Sequence, residues 1–358
     1  MQKDIEAYCV SPTASIRDAV ARIDATRRGI VLVVDEDGRL VGTVTDGDVR
    51  RAMLAGVDFQ QPIRALLGQK AGTRFERPVT APVGAERSTY LQLLEQHNVL
   101  HLPIVDAEER VVGLVTLDEF ISDTPLALHA VVMAGVLGTR LHPLTQHVPK
   151  PMLPIGDQPL LEIIIRQLRD AGIRQVKVTT HSQSEKIVDY FGDGQQFGVE
   201  LSYVNEQSPL GTAGGLGLVE PPAETMLVIN GDILTEVDFR AMLAFHKEHH
   251  AELTVGVRHY DCQLPYGVIE CEGAVVRGLK EKPRVEAYVN AGIYMMEPSV
   301  HQCIVRGQPL DMTDLIQYLL DEGRQVISFP IREYWMDIGE PAEYEQASRD
   351  VRLGKVKV

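Results

Sequence analysis

Hydrophobic positions in the second half of the chain gather into short unbroken runs separated by segments with helical spacing. Residues 130–134 (AVVMA) form one such run, the pattern of a strand buried on both faces of a parallel sheet. Leu161, Ile164, Ile165 and Leu168 follow at helical intervals, so the spacing predicts an amphipathic helix closed by Gly172, and 176–180 reads as the next strand of a βαβ unit. Further strands are predicted at 200–204, 225–229, 253–257, 289–296 and 326–329, with helices at 239–249 and 312–322. That alternation makes this half of the chain an α/β domain.

The first half has a different pattern, a duplication. Val34-Asp35 matches Val105-Asp106, Gly42 matches Gly113 and Thr45 matches Thr116, at one constant shift along the chain. The shift exceeds the roughly 20 to 50 residues of stacked repeat arrays, so it marks two copies of a small domain. Each copy carries a helical segment (16–25; 88–97), a hydrophobic strand, a turn (35–39; 106–110), a second strand and a helix start. A proline and polar residues in 122–128 (SDTPLAL) break the apolar pattern, which places a linker at 123–129, between domains at 1–122 and 130–358.

Composition narrows the class. With 358 residues, 44% hydrophobic and 24% charged, the chain has ordinary globular composition and room for two or three domains. Apolar runs such as 29–34 and 226–229 are far shorter than the roughly 18 residues of a membrane span, and MQKDIEAYCV lacks a signal-peptide core. Cys9, Cys262, Cys271 and Cys303 show no C-x-x-C spacing and read as free thiols, so a cytoplasmic location without membrane contact is expected. A net charge of −15 argues against a nucleic-acid partner, while leaving room for positive charge focused locally in a cleft.

Such a focus is predicted in 130–155, AVVMAGVLGTRLHPLTQHVPKPMLPI. After the buried strand, Gly135 and Gly138 let the backbone turn sharply and approach a ligand. Arg140 offers a planar fork for phosphate oxygens, and Lys150, between Pro149 and Pro151, a point charge on a stiffened segment. These features describe a triphosphate cradle, although neither G-x-G-x-x-G nor G-x-x-x-x-G-K-[ST] is present. Asp232 ends an apolar strand at the sheet edge where α/β proteins bind ligands. Taken singly, each of these residues also reads as a loop glycine, a helix cap or a solvated charge.

The run M-A-G-x-L-G-T-R-L-x-P-L-T followed by P-K-P-M-L-P-I resembles the signature of sugar-1-phosphate nucleotidyltransferases, and the resemblance continues through nearly all of 130–350. It implies a Rossmann-like, mixed-sheet α/β fold of GT-A-like type. It also implies nucleotide contacts from Ala134, Gly135, Gly138 and Thr139, and from Gly211 and Thr212 in the second glycine loop, PLGTAGG. Asp232 and the Asp337 of WMDIG would together hold Mg2+ against the phosphates. The sugar side would comprise Tyr266 and Gly267 of LPYGVI, Glu281 and Lys282 of EKP, and Asn290 of NAGIY, with Lys282 facing the sugar phosphate. The implied chemistry is attack by a sugar-1-phosphate oxygen on the α-phosphorus of an NTP. It needs no covalent nucleophile, only alignment and neutralisation by Arg140, Lys150, Lys282 and a metal. The chain departs from the signature at Val136, where glycine is usual, and at His142. A β-branched residue forced to positive φ would cost about 1 to 3 kcal/mol.

In the first half, GTVTDGD (42–48) and GLVTLDE (113–119) resemble a CBS-domain pair, or Bateman module. The resemblance implies that Thr45, Asp48 and Thr116, at helix N-termini, bind the phosphate and ribose of an adenine nucleotide, with Glu119 the weaker match. Helix capping is the alternative for the same residues. The two-domain arrangement resembles CBS-bearing guanylyltransferases of bacterial surface-glycan pathways, which points to GTP and to a homo-oligomer dimerised through the CBS module. The competing readings are a nucleotide- or NDP-sugar-binding regulator whose loop has lapsed at Val136, and a CBS pair that serves only for dimerisation.

Overall fold

The computed structural model describes residues 5–73, 75–97, 99–121, 126, 128–135, 138–181 and 183–356. Val136 therefore lies outside the described residues, as does most of the expected linker. The chain forms two compact units, Met1–Thr124 and Pro125–Val358.

In the first unit, one copy contains β1 (Cys9–Val10), α1 (Ile16–Thr26), β2 (Ile30–Val34), β3 (Leu40–Thr45), α2 (Asp46–Leu54) and α3 (Arg64–Gln69). The other contains β4 (Ala81–Pro82), α4 (Arg87–His97), β5 (His101–Val105), β6 (Val111–Thr116) and α5 (Asp118–Ile121). The repeat extends to hydrogen-bond geometry. Asp35 Oδ1 accepts from the Asp37 and Arg39 amides at 3.0 and 2.8 Å, and Asp106 Oδ1 from the Glu108 and Arg110 amides at the same distances. Both hairpins carry a register shift at corresponding positions, Val33/Val34 and Ile104/Val105. The two hairpin turns bond to each other, Leu40 N to Glu109 O at 3.1 Å and Val111 N to Gly38 O at 3.0 Å.

The second unit begins with β7 (His129–Met133), the short pair β8 (Pro154–Ile155) and β9 (Gln158–Pro159), α6 (Leu160–Asp170), β10 (Gln175–Thr180), α7 (Ser184–Phe191) and β11 (Glu200–Asn205). It continues through α8 (Gly211–Gly214), β12 (Met226–Asn230), β13 (Ile233–Thr235), α9 (Phe239–Glu248), β14 (Leu253–Gln263), β15 (Val268–Glu272) and β16 (Val275–Lys280). It ends with β17 (Arg284–Met296), α10 (Pro298–His301), α11 (Met312–Asp321), β18 (Val326–Ile331), β19 (Trp335–Asp337) and α12 (Pro341–Arg352). Seven strands form a mixed sheet in the order β11-β10-β7-β12-β17-β14-β18, with only β17 antiparallel to its neighbours.

Strand β7 is buried on both faces, as its apolar run requires. Ala130 and Val132 join the core that includes α6, while Val131 and Met133 join the core that includes α11. From β7 the chain winds outward to β10 and β11, then returns to β12 on the other side of β7. The direction of winding thus reverses beside β7, and a crevice opens beyond the carboxyl ends of β7 and β12.

The sequence pattern underestimates part of this unit. Strands β14 and β17 run past the predicted 253–257 and 289–296 and lead into the β15–β16 hairpin. Helices α7 and α12 were not predicted.

Candidate active site

The crevice holds a cavity of about 340 Å3 whose lining includes Gly135, Gly138, Thr139, Arg140, Lys150, Glu206, Gly211, Thr212, Asn230 and Gly339. Its walls are glycine-rich for steric reasons. Gly138 has φ +63°, and a Cβ there would meet Lys150 Cβ at 3.0 Å; Gly211 has φ +77°. Lys150 begins a short 3-10 turn and is 3% exposed, its Nζ bonded to Asp232 Oδ2 at 2.5 Å.

Asp232 and Asp337, far apart in sequence, are brought side by side by backbone pairing. Asp232 directly precedes β13, and β13 pairs with β19 so that Ile233 faces Asp337. The Ile338 amide then donates to the Asp232 carbonyl at 3.0 Å. One oxygen of each carboxylate, Asp232 Oδ1 and Asp337 Oδ1, is buried without a hydrogen-bond partner. Burial, and then the neighbouring Asp232 charge, push the Asp337 carboxyl up to about 6; Glu343 adds to this, while Lys150 and Arg140 oppose it. The turn after Asp337 is fixed by Glu343, whose Oε2 accepts from the Gly339 and Glu340 amides at 2.7 and 2.8 Å. Arg140 lies over that turn, since a Cβ on Gly339 would sit 3.4 Å from its Nη2.

Asp232 and Asp337 do not line the cavity, but Asp232 is bonded to the Lys150 that does, and two unpartnered buried carboxylate oxygens at that point fit a hard divalent ion. Mg2+ takes one or two carboxylates and completes its shell with water and substrate phosphate, rather than with a cage of protein ligands. Among the described residues no group of three or more His, Cys, Asp or Glu side chains could hold a metal ion.

Glu206 and Asn230 are among the lining residues to which the sequence pattern assigns no role. Glu206, at the end of β11, is 7% exposed, and Cβ atoms on Gly135 and Gly215 would lie 2.9 and 2.6 Å from its Oε1. Its Oε2 accepts from the Leu210 amide at 3.3 Å. Asn230 lines the same cavity with a buried, unpartnered Oδ1. Both stand at strand ends, the signal that singled out Asp232.

Other expected residues lie elsewhere. Ala134 is buried behind the cavity, its amide bonded to Thr179 O at 3.0 Å. Tyr266, Gly267, Glu281 and Lys282 sit on the β14–β17 ribbon and do not line the cavity, with Tyr266 76% exposed. Asn290 also lies outside the lining, and its Oδ1 holds the Gly292 amide at 3.0 Å and the Tyr294 hydroxyl at 2.9 Å. The Thr212 hydroxyl is engaged by Asp311 and the Met312 amide rather than pointing to an open partner.

In the first unit, Thr45 and Asp48 form a reciprocal capping box on α2. Asp48 is 7% exposed and also pairs with Lys70 and Arg51, each at 2.6 Å. Burial opposes its charge, but Lys70, Thr45 and Arg51 together hold the carboxyl below its ordinary range. Thr116 Oγ1 accepts from Arg28 Nη1 and bonds Glu119 Oε1, both at 3.3 Å. Thr45 and Asp48 thus make the contacts of a helix cap, whereas the Thr116 contacts are to the Arg28 and Glu119 side chains. Asp48→Ala is expected to destabilise the first unit by about 3 kcal/mol, because it removes the cap of α2 and leaves the Lys70 ammonium with the Thr43 carbonyl but without its counter-charge. A urea transition of the first unit left unshifted would show that Lys70 is re-solvated at no cost.

The nucleotidyl transferase family model matches residues 129–353, and the chain belongs to that family. CBS-domain models match 1–55 and 77–123. The chain is 34% identical over 251 residues to a UTP–glucose-1-phosphate uridylyltransferase of Synechocystis sp., covering 64% of this chain and 65% of that one. It is 33% identical over 233 residues to a mannose-1-phosphate guanylyltransferase of Mycobacterium tuberculosis, covering 63% and 65%. The chain thus spans just under two thirds of the length of these curated relatives. A Bacillus anthracis crystal structure, described as a glucose-1-phosphate thymidylyltransferase with sucrose, superposes with a TM-score of 0.53 at 26% identity, over 63% of this chain and 95% of that one.

Proposed function

We propose that the second unit transfers a nucleoside monophosphate from an NTP to a sugar-1-phosphate, giving an NDP-sugar and pyrophosphate, with GTP as the nucleotide. The observation that carries this reading is the Asp232–Asp337 pair, with its unpartnered oxygens and Lys150 at the head of a glycine-walled crevice. Relatives named as guanylyl- and uridylyltransferases support the reaction class and leave the base open. Glu206 favours guanine, because a buried carboxylate accepts but does not donate.

In the reaction, an ionised oxygen of the sugar-1-phosphate bonds to the α-phosphorus, and the bond to the bridging oxygen breaks, with its electron pair leaving on pyrophosphate. Arg140 and Lys150 line the cleft where that charge gathers, and Gly138 allows the phosphates close to the backbone. Mg2+ held by Asp232 and Asp337 would supply neutralisation of the phosphates. We extend the proposal to a regulatory CBS module that takes an adenine nucleotide and dimerises the chain, and to a cytoplasmic setting, which suits four free thiols.

The test is pyrophosphate release from the four common NTPs against a panel of sugar-1-phosphates. GTP with one sugar-1-phosphate is expected to turn over fastest. Pyrophosphate release with no pair, alongside intact nucleotide binding, would replace the enzyme with the binding-regulator reading.

A further inference from the structure

Helix α11 opens without the side-chain cap that its sequence offers. Asp311 occupies the N-cap position in extended backbone, yet its carboxylate makes no capping bond to its own helix. Its Oδ1 accepts instead from the Thr212 amide at 3.0 Å and from the Thr212 hydroxyl at 3.3 Å. That hydroxyl in turn accepts from the amide of Met312, the first residue of α11, at 2.8 Å. The helix and the cavity loop have exchanged caps: Thr212 satisfies the helix, and Asp311 satisfies the loop.

The backbones are joined as closely as the side chains. The Ala213 and Gly214 amides both donate to Leu310 O at 2.9 Å, and the Leu310 amide donates to Leu210 O at 2.9 Å. A Cβ on Gly211 would sit 2.7 Å from Asp311 Oδ1, and one on Gly214 would sit 2.6 Å from Gln308 O. The other side of the 210–212 segment lines the cavity. A loop containing Gly211, Gly214 and Gly215 has wide conformational freedom, which nucleotide binding would otherwise have to remove.

We propose that Asp311 is a positioning residue for the nucleotide: it holds the 210–214 loop in its binding shape before the NTP arrives, while touching neither the NTP nor the sugar phosphate. This rests on the reading of the cavity as an NTP site. Because the hold precedes chemistry, its loss acts on nucleotide affinity and leaves the transfer step alone. The relevant group is an acceptor oxygen, which asparagine retains.

Steady-state kinetics with GTP, together with amide hydrogen exchange on the ligand-free protein, test the proposal in Asp311→Ala, Asp311→Asn, Thr212→Val and Thr212→Ser. For Asp311→Ala, KM for GTP is expected to rise about 10- to 100-fold, the range of its two hydrogen bonds to Thr212 lost together, with kcat within about 3-fold of wild type. Exchange at the Thr212 amide should accelerate about 10-fold or more in the same variant. Asp311→Asn should stay near wild type, Thr212→Val should follow Asp311→Ala, and Thr212→Ser, which keeps the hydroxyl, should return the amide exchange at position 212 to the slow wild-type rate. An unchanged KM, a fall confined to kcat, or equal damage from Asp311→Asn and Asp311→Ala would overturn the proposal. If the wild type turned over no NTP, the functional reading would fail by itself, and an unaltered Thr212 exchange rate would still decide against the positioning role. Should Asp311→Ala not fold, the contrast between Thr212→Val and Thr212→Ser reads the same bond from its other end.

Discussion

Asp337→Asn is expected to lower turnover by about 100- to 1,000-fold while making the metal-free protein more stable at pH 7.5. The two effects share a cause. The Asp337 carboxyl titrates at about 6 in the folded protein against an ordinary value of 3.8, so between those values the folded state binds a proton that the unfolded state has released. Stability therefore falls as pH rises from about 4 through 6, and above that range the ionised group opposes folding, because it is buried beside Asp232. Asparagine removes the charge and keeps the shape. With some solvent still reaching the group, the gain at pH 7.5 is expected to be about 1 to 2 kcal/mol, vanishing near pH 4. Mg2+ should raise the melting temperature of the wild type, where it offsets the two carboxylates, and leave that of Asp337→Asn nearly unmoved. A variant less stable than wild type at pH 7.5 would show that Asp337 is held by contacts that favour its charge, which would remove the case for a metal-ready pair.

The same pair shows how far the chain could be read unaided. Asp232 was legible because it ends an apolar strand, a purely local signal. Asp337 stands on the three-residue strand β19, whose burial and position come only from pairing with β13 about a hundred residues earlier. No window of sequence contains that pairing, and only the family resemblance pointed to it. The buried strands β7 and β12 were legible for the same local reason as Asp232.

The β15–β16 hairpin was not legible, since Val268–Glu272 is mostly exposed and Val275–Lys280 mixes apolar and charged residues without a buried face. Its strands exist through pairing, not through hydrophobic alternation. Helix α12 was missed for want of an apolar stripe: it buries only Ala347 and Asp350, and what marks its start is Pro341 at the first turn with Glu343 folded back onto the Gly339 and Glu340 amides. The sugar-side assignments came from motif order alone, and motif order does not say which way a ribbon points. The exchange of caps between Thr212 and Asp311 was invisible for the deeper reason that each residue, taken locally, satisfies a simpler rule.

Glu206→Gln is expected to change which nucleotide the site accepts. Guanine presents two adjacent donors on its Watson–Crick edge, N1–H and the N2 amino group, whereas uracil presents one donor, N3–H, between two carbonyl acceptors. A carboxylate, which only accepts, matches the first pattern and repels the second. Glu206 is suited to impose that choice because it is 7% exposed and aligned between Gly135 and Gly215, where any side chain would collide with it. Its backbone is fixed as well, the amide donating to Thr180 O at 2.7 Å and the carbonyl bonded to His181 Nδ1 at 2.8 Å. Glutamine fills the same volume, so the fold and the cavity should survive, but its amino group turns one acceptor into a donor. For GTP this removes a charge-assisted bond and sets donor against donor, and kcat/KM is expected to fall about 100- to 1,000-fold. For UTP the amide offers a donor to one carbonyl and an acceptor to N3–H, so kcat/KM should hold or rise, and the GTP-to-UTP ratio should drop by at least about 100-fold. The measurement is kcat/KM for GTP, UTP, ATP and dTTP with one sugar-1-phosphate at saturation. An unchanged ratio would place the base at the other end of the cavity, away from Glu206, and would withdraw the argument for guanine.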